Sequence, residues 1–451
     1  MLLPWDALAA PGDLPYLFLY LVRLGSARME KKVIPTTRLG RMARLAALGV
    51  KTGAGMVLGR SDEAAADQAA AVLGNLRGLA AKVGQMASYV DGLVPEDKRD
   101  AFETSLKVLR AQAPRSSSEA IRAAVEQELG APLDRLFEEW HDEPIASASI
   151  GQVHRARHQG MEVAVKVQHP GIEKAVESDL ASASVLEGLG AIVGARRFDT
   201  KAHLAILKER FREELDYALE GERLQAFARM HEGDPTIRIP RLVAERTGET
   251  VLTTEMMHGR PLEDAAREDE ATRRAYAETL WRFVFKGNLV GGMFNADPHP
   301  GNYLFQDGGR IAFLDYGCVQ VIPEHRRPQA RALHRAAVEK DEKEFARCVS
   351  LLLDARPGEM ERLARRYSRL CFEPLFTSPF KITRAYAASL VDAMKAQALA
   401  ARRLPENEVF ALPPEMLFMN RLQFGFYSVL ARLDVEVDFA RVEREFLPAE
   451  T

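Results

Sequence analysis

The stretch from Gly292 to Gly317 constrains the fold more than any other part of the chain. It places Asp297 five positions before Asn302, with Pro298, Pro300 and Gly301 between them. These intervening residues exclude a helix and predict a rigid loop that presents a carboxylate and an amide. A Gly-Gly turn at 307–309 and an apolar strand follow, and the strand leads into Asp-Tyr-Gly at 315–317.

The side chains of this stretch predict a site for a magnesium-bound nucleotide. Asn302 and Asp315 are the oxygen ligands that Mg²⁺ prefers, and a kinase-like fold gathers such ligands from one loop and the end of the next strand. The order Asp-x4-Asn and then Asp-aromatic-Gly matches the catalytic loop and metal-binding turn of kinases. The alternative is a Pro/Gly-rich surface loop followed by an ordinary strand.

Three earlier segments fit the same interpretation. Residues 161–168 alternate between valine and other residues and predict a strand that contains Val163-Ala-Val-Lys166. This motif is typical of the kinase strand whose lysine contacts nucleotide phosphates. The small residues from Ala146 to Gly151 lie where a phosphate loop belongs, and 251–257 predicts a strand leading into an adenine-binding linker that includes Glu255 and Met257.

Residues 203–230 predict a helix with a cluster of acidic side chains, among them Glu214, Asp216 and Glu220. Such a cluster is usually a solvated face. A kinase-like fold needs one helix carboxylate to pair with the strand lysine. Asp216 and Glu220 are expected to share a helix face, and Glu214 to lie well round the helix, so this spacing leaves the partner of Lys166 open.

The remaining periodic segments predict a mostly helical chain. Residues 61–92 form the clearest helix, with an apolar stripe from Val72 to Val90 and with Lys82 and Gln85 on an adjoining face. Further helical regions are expected at about 117–139, 273–290 and 323–434.

Composition limits the function classes. The net charge of −3 argues against a nucleic-acid binder, and three scattered cysteines fit a reducing compartment without disulfides. We expect no transmembrane helix and no signal peptide, and a cytoplasmic location.

Residues 21–60 nevertheless hold nine basic side chains against one acidic side chain, next to the aromatic-apolar run 14–22. This segment predicts peripheral contact with anionic lipids at the inner membrane face, and a solvated helix face is the alternative.

Together the motifs resemble the UbiB/AarF family of atypical kinases, also called the ADCK-type family. The resemblance covers roughly residues 35–435. It rests on Lys82-Val-Gly-Gln85, on Ala146-Ser-Ala-Ser-Ile-Gly-Gln-Val-His154, on Glu214-Leu-Asp216 and on Asp297-Pro-His-Pro-Gly-Asn302.

The resemblance implies an α+β, protein-kinase-like fold with two lobes and an N-terminal helical extension over the active site. The expected units are a basic and apolar segment (1–60), the helical extension (61–140), a small lobe (141–257) and a mostly helical large lobe (258–451). Lys82 and Gln85 would contact Glu214 and Asp216 as a lid that excludes a peptide substrate. Lys166 would pair with Glu220, Asn302 and Asp315 would hold Mg²⁺, and Asp297 would be the general base. The implied nucleotide-binding residues are Ala146, Ser147, Ala148, Ser149, Ile150, Gly151, Gln152, Val153 and Lys166, together with Glu255 and Met257.

The function implied is that of a kinase or ATPase that uses ATP or ADP with Mg²⁺ and supports isoprenoid-quinone (ubiquinone) biosynthesis or lipid homeostasis. Its expected partners are the nucleotide, anionic lipids, and quinone precursors or quinone-biosynthesis proteins. One departure is Asn295, which stands where the family has histidine and puts that histidine's hydrogen bond to the metal turn in question. Two alternatives stay open: a catalytically silent pseudokinase scaffold and a small-molecule phosphotransferase. The phosphoryl acceptor and the oligomeric state stay open as well.

Overall fold

The computed structural model describes residues 116–148, 150–177, 209, 212–401, 403–405 and 415–447. Several predictions lie outside these residues. They are the segment 14–60, the helix 61–92 with Lys82 and Gln85, and the position of Ser149.

The small lobe is built on an antiparallel sheet. Two helices, α1 (Ser118–Leu129) and α2 (Leu133–Leu136), precede the strands β1 (Glu139–Trp140), β2 (Ala146–Ser147), β3 (Gly151–His158) and β4 (Met161–Gln168). The strands β3 and β4 form a hairpin closed at Gln159 and Gly160, both of which have positive φ, as a two-residue turn requires. Val163, Val165 and Val167 are fully buried, and the predicted alternation of this strand is confirmed.

The helix predicted at 117–139 is shorter than expected. Helix α1 ends at Leu129 because Gly130 adopts a left-handed conformation (φ 71°) and donates its N–H to the backbone carbonyl of Glu126. Pro132 follows, and Trp140 lies in β1, which pairs with β3. Ile121 and Val125 of α1 share a hydrophobic core with the β4 valines, so the described end of the predicted extension packs with the small lobe.

Helix α3 (Tyr217–Met230) corrects the prediction of one helix over 203–230. Asp216 is its N-cap, and the Asp216 side chain accepts a hydrogen bond from Leu219 N. Asp216 therefore precedes the helix and shares no helix face with Glu220, and Glu214 lies in the turn before it. An aspartate whose side chain caps an N–H three positions later is a strong signal for the start of a helix. Here this signal outweighs the apolar periodicity, which continues across Asp216.

After α3 the chain completes the small sheet and enters the large lobe. The elements in order are β5 (Ile237–Arg238), β6 (Val251–Glu255), α4 (Leu262–Ala265), α5 (Glu270–Lys286), β7 (Met293–Asn295), β8 (Tyr303–Gln306), β9 (Arg310–Phe313) and β10 (Val319–Val321). Strand β6 completes the small sheet beside β4, as its predicted position before the linker requires. In the large lobe β8 and β9 form the predicted hairpin, β5 lies parallel to β9, and β7 pairs with β10.

The rest of the described chain is mostly helical, as predicted. It comprises α6 (Arg327–Val338), α7 (Glu342–Leu352), α8 (Glu359–Cys371), α9 (Glu373–Phe376), β11 (Phe380–Lys381), α10 (Arg384–Ala401), α11 (Glu415–Leu433), β12 (Glu436–Val437) and α12 (Phe439–Arg444). These helices pack around α5 in one large core that includes Trp281, Phe426 and Phe439. Within the described ranges, no helix has the length and apolar character needed to cross a membrane.

Candidate active site

The centre of the candidate site is an ion pair that joins strand β4 of the small sheet to helix α3. The Lys166 ammonium on β4 lies 2.9 and 2.8 Å from the two carboxylate oxygens of Glu220, in the first turn of α3. The Glu220 side chain is 2% exposed and that of Lys166 is 22% exposed. The structure thus shows the ion pair that the family resemblance implied, and Glu220 is the acid that the spacing alone left open.

A second carboxylate lies near the same ammonium. Asp315 Oδ2 is 3.6 Å from Lys166 Nζ, and the ring centre of Tyr217 is 4.8 Å from Lys166 Nζ. Burial alone would lower the pKa of the Lys166 ammonium, but the Glu220 and Asp315 carboxylates outweigh burial and hold this pKa well above its usual range. Lys166 is therefore a fixed positive charge at the cleft.

The Asp-Tyr-Gly turn is held in place by hydrogen bonds. Asp315 Oδ1 accepts from Gly317 N at 3.0 Å, and Glu220 Oε1 accepts from Tyr316 N at 3.4 Å. Tyr316 is fully buried, and its ring packs on Phe227 of α3 with ring centres 5.1 Å apart. The turn and α3 therefore form one connected unit around the Lys166 pair.

Asn295 connects the catalytic loop to this turn. Its side-chain amide donates to the Asp315 carbonyl at 2.5 Å, and its Oδ1 accepts from Asp297 N at 2.9 Å. The hydrogen bond to the metal-turn backbone that was in question is therefore present. Since an amide carries both a donor and an acceptor, Asn295 orients the backbone at Asp297 and Asp315 at once.

The other predicted ligand, Asn302, lies between these two aspartates. Asn302 Nδ2 donates to the Asp297 carbonyl at 3.2 Å, and the Asn302 carbonyl accepts from Leu314 N at 3.0 Å. The prolines predicted a loop without helix, but residues 300–302 form one 3-10 turn. Pro300 stands at its start, where a missing N–H costs no hydrogen bond.

Helix α11 packs closely against the predicted catalytic loop. A Cβ placed on Gly425 of α11 would lie 2.5 Å from Cγ of Pro298. Only glycine allows this close approach between the helix and the loop. The sequence analysis missed Gly425, and an isolated glycine inside a helical pattern was the only available signal.

The small-residue loop lies between two strands that pair with each other. Ala146 and Ser147 form β2, which pairs with Val153 and Gln152, and Ala148 N donates to the Gly151 carbonyl at 2.8 Å. A Cβ on Gly151 would lie 2.5 Å from the Val167 carbonyl oxygen and 2.7 Å from the Tyr217 hydroxyl oxygen. Glycine is therefore required at the start of β3.

The predicted nucleotide-binding residues do not all face the cleft. Val153 lies opposite Lys166 in the sheet and on the same face. Gln152 points to the other face, where it bonds His154 at 2.8 Å and accepts from Ser116 N at 3.1 Å. The Gln152 side chain is therefore structural, which the strand alternation could have shown. Ile150 contacts the small cluster of Ile172 and Val176, and its carbonyl accepts from His169 N.

The linker follows β6, as predicted, but the Glu255 side chain does not face the cleft as a nucleotide-binding residue would. Glu255 is paired with Val163 on the core-facing side of the sheet, so only its backbone borders the cleft. Ala164 and Thr254 are paired on the Lys166 face, and the sequence analysis missed both. A cavity of about 610 Å³ lies beside the linker. It is lined by residues 255–260, including Met257, and by Arg238, residues 305–307 and residue 310. Lys166 and the two aspartates do not line this cavity.

The predicted lid can be located only in part. Glu214 is 7% exposed, and Asp216 caps α3. Their proposed partners Lys82 and Gln85 lie outside the described residues.

The donor set fits magnesium held together with phosphate. In the described part of the chain no group of three or more His, Cys, Asp or Glu side chains could hold a metal ion alone. One amide and one carboxylate, Asn302 and Asp315, match the small number of protein ligands that Mg²⁺ takes when phosphate oxygens and water complete its shell.

Comparison with known proteins identifies the family. The profile of the ABC1 atypical kinase-like domain matches residues 108–349, more than half of the chain. The chain belongs to the ABC1 atypical kinase-like family. This confirms the predicted family, since relatives in it carry the AarF name.

Curated relatives match the chain at moderate identity. The chain is 31% identical over 284 residues to the chloroplastic protein Activity of BC1 Complex Kinase 1 of Arabidopsis thaliana, which covers 60% of this chain and 40% of that protein. It is 31% identical over 278 residues to AarF domain-containing protein kinase 1 of Gallus gallus, covering 59% and 52%. The chain thus spans about half the length of these relatives, or less.

A solved structure confirms the fold. The Rv3197–erythromycin complex of Mycobacterium tuberculosis superposes with a TM-score of 0.59 over 90% of this chain and 98% of that chain, at 24% identity. The predicted kinase-like α+β fold is confirmed, and at this identity the likeness shows the fold alone.

Proposed function

We propose that this chain binds ATP or ADP with Mg²⁺ in the cleft around Lys166 and acts as an atypical kinase or ATPase. The observation that carries the proposal is the geometry of Lys166, held at 2.8 Å by Glu220 and at 3.6 Å from Asp315. A lysine fixed between a helix carboxylate and the metal-turn aspartate is the arrangement in which kinases contact nucleotide phosphates.

Lys166, Asn302, Asp315 and Asp297 each have a defined role in this proposal. Lys166 offsets the charge of the nucleotide phosphates, and Asn302 and Asp315 supply the protein ligands to Mg²⁺. Bound magnesium would neutralise phosphate charge that develops during transfer. Asp297, whose backbone Asn295 orients at 2.9 Å, would accept the proton of the attacking water or hydroxyl.

Nucleotide binding is tested by thermal denaturation with ATP or ADP, with and without Mg²⁺. We expect magnesium-dependent stabilisation of the natural protein and its loss in Asp315→Asn, which removes the ligand charge at nearly constant shape. Asp264→Asn is a matched control, because Asp264 is an exposed carboxylate that pairs with Arg267 one helical turn away. Unchanged stabilisation in Asp315→Asn would contradict the proposed metal site.

We further propose that the activity serves isoprenoid-quinone or lipid metabolism at a membrane surface. The support is the motif resemblance, the reference to the bc1 complex in the names of Arabidopsis relatives, and the basic segment 21–60. Quinone and lipid profiles of cells that lack this protein should change, and Asp315→Asn should fail to restore them. Unchanged profiles would contradict this part of the proposal.

Membrane contact has its own test. Binding to anionic liposomes should decrease with salt and with deletion of residues 14–60, because attraction to anionic lipids is screened. Equal binding to neutral vesicles would contradict electrostatic attachment.

A further inference from the structure

Arg223 is a charged residue of α3 whose contacts reach both sides of the candidate site. It lies three positions after Glu220, and its side chain is 13% exposed. Its Nη1 donates to the Gly317 carbonyl at 3.0 Å, and its Nη2 lies 2.5 Å from Glu213 Oε2. One guanidinium therefore joins the segment just before α3 to the Asp-Tyr-Gly turn.

The Gly317 contact leads directly to the proposed metal ligand. While the Gly317 carbonyl accepts from Arg223, the N–H of Gly317 donates to Asp315 Oδ1 at 3.0 Å. Both polar backbone groups of Gly317 are therefore engaged, one by the arginine and the other by the aspartate carboxylate. A shift of Gly317 would release Asp315 Oδ1 and allow the carboxylate to rotate.

We propose that Arg223 is a positioning residue that holds the Asp315 carboxylate in its metal-binding orientation and couples it to residues 212–216. The inference rests on the proposed function, since it takes Asp315 as a magnesium ligand. Movement of the Glu213 segment then reaches the metal turn through Arg223, and this gives the site a route by which a contact at 212–216 changes magnesium affinity.

The chemistry of the arginine side chain suits the positioning role proposed for Arg223. The planar guanidinium presents donors in a fixed fork and stays charged, so one side chain can bond a carboxylate and a carbonyl in two directions. A lysine has one compact ammonium and does not reproduce that fork. Arg223→Lys should therefore weaken the connection even though it keeps the charge.

The first test uses the ligand-free protein and does not depend on nucleotide binding. Hydrogen exchange is measured for a peptide covering residues 315–318 in the natural protein, Arg223→Gln, Arg223→Lys and the control Arg229→Gln. Arg229 is on the same helix and is exposed. We expect about tenfold faster exchange in Arg223→Gln, an intermediate rate in Arg223→Lys and no change in the control. Equal rates in all four proteins would overturn the connection.

The second test titrates Mg²⁺ at fixed ATP and follows thermal stabilisation. Arg223→Gln should raise the half-saturating Mg²⁺ concentration about tenfold, equivalent to about 1.4 kcal/mol, and leave stabilisation at saturating Mg²⁺ nearly intact. A merely structural arginine would lower the melting temperature without this shift, and that result would overturn the proposal. Should Arg223→Gln not fold, Arg223→Lys and Glu213→Gln carry the same test. If the natural protein shows no magnesium-dependent binding, the proposed function fails, and faster exchange in Arg223→Gln would still establish the link.

Discussion

Replacement of Lys166 by methionine should destabilise the protein far more than the loss of an ordinary ion pair. Lys166 is bonded to both oxygens of Glu220, which is 2% exposed, so the variant leaves a buried carboxylate without its cation. Breaking one partner of a buried pair costs about 3–5 kcal/mol. Asp315, 3.6 Å from the lost ammonium, adds a second negative charge nearby.

The stability that Lys166→Met loses relative to the natural protein should depend on pH in a defined direction. Burial raises the pKa of the Glu220 carboxyl, and Lys166 opposes that shift, so removing Lys166 raises this pKa further. Between the unfolded and folded pKa values the native state binds more protons, and stability therefore falls as pH rises. The deficit of Lys166→Met should be smallest near the ordinary glutamate pKa of about 4.3 and largest at neutral pH.

Urea denaturation at several pH values measures this effect. Lys381→Met is the matched control, because Lys381 pairs with Asp434 at 2.7 Å with the two side chains 42% and 63% exposed. Exposed pairs contribute about 0.2–1 kcal/mol. A Lys166→Met deficit no larger than the control, or one that grows as pH falls, would refute the reasoning.

Three further substitutions test contacts around the cluster. Asn295→Ala leaves a carbonyl and an N–H without their partner, and it should lower the free energy of unfolding by at least about 2 kcal/mol in urea denaturation. Gly425→Ala forces Cβ against Pro298 and should lower ATP turnover, with nucleotide affinity within about twofold in a binding titration. Gly151→Ala meets the Val167 carbonyl and should lower the unfolding free energy by about 1–3 kcal/mol. Unchanged values would argue against each contact.

The short spacing of the proposed site residues let the sequence place several of them in neighbouring segments. Asp297 and Asn302 belong to one short loop, and Asp315 follows the second strand of the next hairpin by two residues. Similarly, Val163-Ala-Val-Lys166 alternates cleanly in one strand, so its buried and cleft-facing sides could be assigned from a period of two. The kinase-like fold followed from the order of these motifs along the chain.

Helix limits and long-range contacts were predicted less well. The periodicity of 203–230 runs across Asp216, and only the capping geometry shows that the helix begins after it. Gly425 meets Pro298 from a helix more than a hundred residues away, and Arg223 reaches Gly317 across the two lobes. Such contacts depend on how lobes pack, which local spacing does not encode.

Magnesium-dependent ATP turnover by the purified protein tests the central claim most directly. Phosphate release is measured for the natural protein and for Asp297→Asn, with Asp264→Asn as the control. We expect turnover that requires Mg²⁺, loss of at least about a hundredfold in Asp297→Asn, as removal of a general base typically produces, and no change in the control. Nucleotide binding without turnover, or equal turnover in Asp297→Asn, would contradict the proposed kinase or ATPase activity.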